Sequence, residues 1–192
     1  KDDALYPLWE EVGALGAGQE VTLQNEFYES RTAYGTVHFY SDLSLAEKCM
    51  VTMSPEDRTH LRRFFAAVGA MAKPGRGNSP LRYAALLPFV GMTLGEFSKK
   101  LRHPALRIAF SDYLSPYFAA IGLIFAYAAV ASGNGGIPLG GSGEMRKRME
   151  DTYRSLGGTV RTGAEVGNIL LDRGRVLGVA LASGEEIPCR FA

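Results

Sequence analysis

The chain has 192 residues, of which 46% are hydrophobic, so it can bury a sizeable core as one domain or one and a half. Its 21 basic and 20 acidic residues leave a net charge of +1, which argues against a nucleic-acid partner because such a partner requires a clustered positive surface. Arg146, Lys147, Arg148 and Arg154 do cluster, but acidic residues separate them, a pattern typical of a solvated helix face.

The cysteine usage and the first residues bear on where the protein works. Cys49 and Cys189 lie far apart and match no metal or redox spacing. This favours a reducing, cytoplasmic compartment, since a secreted domain usually pairs more cysteines. The first residues, KDDALYPLWEEVG, contain neither an initiator methionine nor an apolar targeting run. We therefore expect the chain to be a piece of a longer protein.

Short elements are predicted over the first 72 residues. Residues 6–18 indicate a short helix that ends in glycines, and residues 20–29 indicate a strand that forms a hairpin with 36–40. Asp42-Leu43-Ser44 offers caps for a helix. Ser54-Pro55-Glu56-Asp57 starts the next helix, with serine at the N-cap and proline at the first position. The run KPGRGNSP at 73–80 then predicts a flexible loop.

The middle of the chain predicts further helices. Thr93 caps one, and His103-Pro104 opens another. Pro116 starts a helix that is apolar on every face over 117–131. These fifteen residues are fewer than the about 20 that a membrane span needs, so a buried central helix is expected. Gly133-Asn134-Gly135-Gly136 ends this helix and marks a domain boundary.

The pattern changes after Pro138. A helix at 143–156 leads into a strand at 159–161, and strands at 166–171, 176–182 and around Ile187 predict an antiparallel meander. The predicted fold class is α+β: a helix-rich domain with a small, mostly antiparallel sheet over 1–137, followed by a helix and a meander over 138–192.

No self-contained catalytic motif is evident. Gly141-Ser142-Gly143 fails the dinucleotide fingerprint because Arg146 occupies the third glycine position. The turn remains a candidate for close backbone approach to a ligand at a helix N-terminus. His38, His60 and His103 are scattered without a carboxylate or cysteine at ligand or triad spacing. Structural roles are therefore expected for them, and no metal site or catalytic residue is predicted.

An ordered set of short blocks runs through the last third of the chain. The blocks are Gly140-Gly141-x-Gly143, a helix, Gly157-Gly158, Ala164-x-Val166-x-x-Ile169, Gly174-Arg175-Val176-x-Gly178-Val179 and Ser183-Gly184-x-x-Ile187. This order resembles FAD-dependent oxidoreductases of the phytoene desaturase, or carotenoid dehydrogenase, type, which are relatives of the flavin amine oxidases. The rest of the chain is similar more loosely, to the family's substrate domain.

The resemblance implies roles at the matching positions. The backbone of Val166 would contact the adenine end of FAD, and Gly140 and Gly141 belong to the turn that enters the FAD domain near the flavin and the substrate cavity. The residues implied to line or back a lipophilic tunnel are Phe110, Tyr113, Tyr117 and Phe125. The implied chemistry is hydride transfer between flavin and a carbon of an isoprenoid-like substrate, where the cofactor performs the difficult step.

This chain departs from the family at both ends of the FAD domain. The family's N-terminal G-x-G-x-x-G turn and its C-terminal flavin segment are both absent from this sequence. The resemblance therefore implies a middle fragment that is inactive alone and needs the remainder of the parent FAD domain. Alternatives are a non-catalytic lipid- or protein-binding module that uses residues 117–131, and a fragment of a flavin amine oxidase. A lipophilic substrate also leaves peripheral membrane contact open, although no amphipathic basic anchor is evident.

Overall fold

The computed structural model describes residues 6–16, 18–72 and 83–189. Within these ranges, seven α-helices combine with three small antiparallel sheets, which confirms the predicted α+β class. The helices are α1 (Tyr6–Glu11), α2 (Leu43–Met53), α3 (Arg58–Ala72), α4 (Leu94–Ser98), α5 (Pro104–Asp112), α6 (Ala120–Ala131) and α7 (Gly141–Ser155). The strands are β1 (Val21–Thr22), β2 (Glu26–Thr32), β3 (Gly35–Tyr40), β4 (Ile137–Pro138), β5 (Val166–Asp172), β6 (Arg175–Leu181) and β7 (Glu186–Pro188).

The sheets have simple topologies. β2 and β3 form the predicted hairpin, but the strand predicted at 20–29 is wrong in its bounds, because Val21–Thr22 belongs to another sheet and β2 runs over Glu26–Thr32. β5, β6 and β7 form the predicted meander in that order. The third sheet pairs β1 with β4, which are far apart in the chain. The loop predicted at 73–80 lies outside the described residues.

An aromatic core lies between the β2–β3 hairpin and helices α3, α5 and α6. The ring centroids of Phe64 and Phe110 are 4.9 Å apart, and those of Phe39 and Phe110 are 5.2 Å apart. Two tyrosines keep their hydroxyl groups satisfied in this core: Tyr28 donates to the carbonyl of Ala109 at 2.6 Å, and Tyr127 donates to that of Tyr40 at 2.5 Å. Burial raises the pKa of Tyr127, so its hydroxyl stays a donor. These bonds tie the helices to the hairpin.

Side chains cap three helices as predicted. An oxygen of Asp42 accepts the amides of Ser44 and Leu45 at the start of α2. Thr93 and Glu96 form a complete capping box at α4, and His103 accepts the Ala105 amide at α5. Each cap uses partners two or three residues away, which is why the local sequence is enough to predict it.

Ser54 behaves differently from the prediction. It precedes Pro55 as expected, but its hydroxyl donates to the carboxylate of Asp57 at 2.7 Å instead of accepting from a helix amide. The first turn, Pro55–Asp57, is a 3₁₀ turn, and α3 follows it. The carboxylate that receives this bond also accepts two backbone amides from a distant segment, so the turn is shaped by a tertiary contact.

Two predictions for the second half of the chain are wrong: the start of one helix and the existence of one strand. The apolar helix begins at Ala120 and not at Pro116, because the carbonyls of Pro116 and Phe118 accept the amides that open α4, both at 2.8 Å. Residues 159–161 form no strand. Arg161 instead pairs its guanidinium with Glu185 in the turn before β7, with both distances 2.9 Å.

A bilayer-crossing helix is not found within the described ranges, since each of their helices is too short or too polar for one.

Candidate functional site: an apolar cleft beside the Gly140–Gly141 turn

The pairing of β1 with β4 brings the N-terminal segment to the residues before Gly140. Val21 lies opposite Pro138 in this sheet. The Leu139 amide donates to the Glu20 carbonyl at 2.9 Å, and the side chain of Gln19 donates to the Leu139 carbonyl at 3.1 Å. These hydrogen bonds join segments nearly 120 residues apart, so the junction is a feature of the tertiary structure.

Helix α7 packs on the same N-terminal segment. The guanidinium of Arg148 donates to the carbonyl of Ala14 from two nitrogens, at 3.0 and 3.3 Å. Gly13 approaches the helix so closely that a Cβ there would lie 2.0 Å from Oγ1 of Thr152. Arg146, Lys147 and Arg154 are exposed as predicted, and Arg146 and Arg154 both pair with Glu150. Their hydrogen bonds lower the pKa of that carboxyl group. The prediction of a solvated side chain is wrong for Arg148, because its guanidinium is directed at the carbonyl of Ala14.

These segments enclose a cleft of about 570 Å³, within the range typical of small-molecule sites. Its apolar wall consists of Tyr6, Trp9, Leu15, Val21, Leu23, Pro138 and Met145. Gln19 and Asn134 add amide groups. An apolar wall with a few amides suits a hydrophobic ligand, and the Tyr6 hydroxyl is the one ionisable group among the described lining residues.

The Gly140–Gly141 turn follows the cleft wall directly, two residues after Pro138. Both glycines have positive φ, +87° and +67°, and Gly140 is the N-cap of α7. A Cβ at Gly140 would lie 2.7 Å from Glu144, whereas Gly141 faces open space. The predicted glycine turn at a helix N-terminus is therefore present, and at Gly141 a ligand can approach the backbone without meeting a side chain.

Val166, the other predicted cofactor contact, lies at the start of β5. It pairs with Leu181 in the meander, and 52% of its surface is exposed. Among the described residues, no strand pairing or backbone hydrogen bond joins Val166 to Gly140 or Gly141. A shared cofactor site for these three residues stays a prediction.

The four residues predicted to line a tunnel occupy different environments, and none of them lines the cleft. Phe110 is fully buried among core rings, a position that can back a cavity but not face one. The ring of Tyr113 packs on that of Phe27, with a centroid distance of 4.6 Å, and the side chain is partly exposed. Tyr117 is 88% exposed, and Phe125 lies on the exposed face of α6. Their role in substrate binding stays a prediction.

Sequence reasoning missed two groupings. It did not join residues 6–23 to residues 133–145, because strands of two residues carry little pattern of their own. It also gave His38 no ligand-type neighbour, whereas the structure places the carboxylates of Glu26 and Glu29 beside its ring. The hairpin prediction contained the signal for the second grouping, since it places the two strands side by side.

Compared with known proteins, the chain matches no protein-family model and no curated protein sequence.

Proposed function

We propose that the chain is part of an FAD-dependent oxidoreductase of the phytoene dehydrogenase type. In this proposal it contributes the domain that binds a hydrophobic, isoprenoid-like substrate, together with one segment of the flavin domain. The observation that carries the proposal is the apolar cleft, whose wall includes Pro138 and Met145, the residues that flank the Gly140–Gly141 turn in the chain. That turn is the position where the resemblance expects flavin and substrate to meet.

The residues present suit one part of an FAD site. Gly140 and Gly141 would hold the cofactor through backbone amides, because Gly141 carries no side chain and faces open space. Val166 would contact it through the backbone at the start of β5. When bound, the flavin supplies the hydride acceptor or donor. The residues of this chain would orient the substrate and exclude water, for which the apolar wall is suited.

The surface of the C-terminal segment supports the idea that more protein covers it. Among the described residues from 139 to 189, only Gly178 and Leu181 are buried. Exposed apolar side chains include Leu156, Ile169 and Leu171, each more than 60% exposed. Exposed apolar side chains that lie together often mark an interface, and in this proposal the remainder of a flavin domain would cover them.

Ligand binding at the cleft can be tested by fluorescence, because Trp9 is the only tryptophan in the chain and lines the cleft. Retinol, a C20 isoprenoid polyene, should quench Trp9 saturably. Leu15→Glu places a charge in the apolar wall and should weaken this binding at least about tenfold. Leu177→Glu, on an exposed position of β6, should leave it unchanged. Equal quenching in both variants, or none in the native chain, would contradict binding in the cleft.

The flavin part of the proposal has a separate test. The longer protein that contains this chain should retain FAD through purification and release it on denaturation. The 192-residue chain alone should not retain FAD, since it holds only part of the site. If the longer protein carries no flavin, the oxidoreductase proposal is wrong.

A non-catalytic lipid-binding module is the alternative that the cleft also supports, because its described lining residues include no carboxylate, histidine, cysteine, lysine or arginine. If the chain binds retinol and the longer protein carries no flavin, the lipid-binding module is the correct function.

A further inference from the structure

A β-bulge near the start of β2 turns two acidic side chains to one face of the hairpin. Glu26 pairs with Tyr40, and Glu29 pairs with His38, with a register shift just after Glu26. Tyr40 and His38 are two residues apart on β3 and therefore share a face. Residues 26 and 29 would point to opposite faces in a regular strand, so the bulge at Phe27 is what brings Glu26 beside Glu29.

The three side chains converge on a common point. Nδ1 of His38 lies 3.2 Å from Oε1 of Glu26 and 3.4 Å from Oε2 of Glu29. One ligand atom from each residue falls within 4.8 Å of the others. An ion bound tetrahedrally at about 2.0–2.2 Å from each ligand separates neighbouring donor atoms by about 3.4 Å. The spacing around His38 thus matches the edges of such a site.

Neighbouring residues hold two of these side chains in place. The ring of Tyr40 stacks on that of His38 at 5.1 Å with an angle of 3° between the planes. Arg31 donates to Oε1 of Glu29, which leaves Oε2 directed at His38. Partners that orient ligating groups from outside are a regular feature of metal sites. All three side chains are partly buried, so their rotamers are restricted while water and ions retain access.

We propose that Glu26, Glu29 and His38 bind a divalent first-row transition-metal ion such as Zn²⁺. One imidazole nitrogen with two carboxylate oxygens is a donor set that such ions accept, whereas Mg²⁺ and Ca²⁺ favour oxygen ligands alone. The two carboxylates also supply negative charge that attracts the ion, and Glu29 shares part of its charge with Arg31. Three protein ligands leave one coordination position to solvent. The site is separate from the cleft and does not rest on the flavin proposal.

Calorimetric titration of the tag-free chain with Zn²⁺ in metal-free buffer tests the site. One equivalent should bind saturably. Removing a ligand through His38→Gln or Glu26→Gln should weaken binding about 100-fold, since even outer-shell partners of metal sites contribute about 10- to 100-fold. His60→Gln is the matched control, because His60 lies on α3 outside the cluster, and its affinity should stay within about twofold of the native chain.

Co²⁺ provides a second measurement that needs no variant. An absorption spectrum of the Co²⁺-bound chain without a thiolate charge-transfer band would exclude ligation by the exposed Cys49 and Cys189. In NMR spectra of the same sample, paramagnetic broadening should centre on residues 26, 29 and 38. The proposal is overturned if no stoichiometric binding occurs, if the thiolate band appears, or if His38→Gln and Glu26→Gln bind like His60→Gln while their circular dichroism shows a native fold. In those cases the three side chains form only a surface ion-pair network.

Discussion

Asp57 is the one charged side chain that is buried among the described residues. Its two oxygens accept the amides of Arg102 and His103, at 2.8 and 3.1 Å, and the hydroxyl of Ser54. Burial by itself would raise the pKa of Asp57, but these hydrogen bonds, together with the nearby His60, outweigh burial and lower it. The carboxylate therefore links the start of α3 to the start of α5.

Replacing this carboxylate should give a pH-dependent loss of stability. Asp57→Asn should lower the free energy of unfolding at neutral pH by about 2 kcal/mol, because the amide nitrogen of asparagine cannot accept a backbone N–H. The folded pKa lies below the value of about 3.9 for an unfolded aspartate, so the stabilisation is present above that pH and disappears as pH falls through the folded pKa. Urea unfolding from about pH 7 to about pH 2 measures the difference between native and variant chains.

Glu56→Gln is the control for this experiment. Its carboxylate forms an ion pair with Arg102 at 3.0 Å, but both side chains are exposed, so the loss should stay below about 1 kcal/mol. An equal loss in the two variants, or a loss in Asp57→Asn that does not change with pH, would disprove the proposed role of Asp57.

At the scale of elements, α7 and the N-terminal segment both line the cleft, through Met145 and Leu15, so the contact between them should affect its shape. The segment comes near the helix at Gly13, and Arg148 ties the following residue to it. The same helix begins at the Gly140–Gly141 turn. One contact therefore couples the wall of the cleft to the turn that the flavin proposal uses.

Two glycines with nearly equal φ angles allow this contact to be tested. Gly13 and Gly18 have φ of +74° and +76°, so alanine should cause similar backbone strain at either position. Only at Gly13 would the new Cβ collide with Thr152, because at Gly18 nothing lies within 4 Å. Gly13→Ala should therefore move α7, shift the emission of Trp9 and weaken retinol binding by about tenfold or more, whereas Gly18→Ala should only lower stability by about 1 kcal/mol. Identical effects of the two substitutions would show that α7 does not control the cleft.

At the scale of the whole molecule, burial is uneven. The described residues of the core between the hairpin and α6 are largely inaccessible, whereas the meander of β5 to β7 buries little beyond Leu181. Local stability follows the density of buried apolar contacts. The C-terminal part should therefore open more readily than the core in the isolated chain.

Hydrogen exchange measures this difference directly. Amides in β5 and β6 should exchange at least about tenfold faster than those in α3 and α6 under native conditions. The flavin proposal further expects that the meander becomes protected in a longer protein whose flavin domain covers its apolar side chains. Equal protection of meander and core in the isolated chain would contradict the expectation that the C-terminal segment needs further protein.

Much of the secondary structure follows from local chemistry and could be predicted. The caps at Asp42, Thr93 and His103 use partners within three residues, and the turn between β5 and β6 joins neighbouring strands. Such hydrogen bonds are short-range, so the sequence alone determines them. The glycine turn at 140–141 belongs to the same group.

The features that define the two candidate sites depend on tertiary structure instead. β1 pairs with β4, which is far from it in sequence, and the bulge in β2 reorients Glu26. The start of α6 is decided in the same way, because the carbonyls of Pro116 and Phe118 accept amides of α4 instead of extending α6. In each case a backbone group has both local and distant partners available, and the packing of the whole chain decides between them. The sequence by itself determined the α+β class, the helix caps and the glycine turn. Only the tertiary structure assembled the cleft and brought two carboxylates to His38, because both require residues that local pattern does not connect.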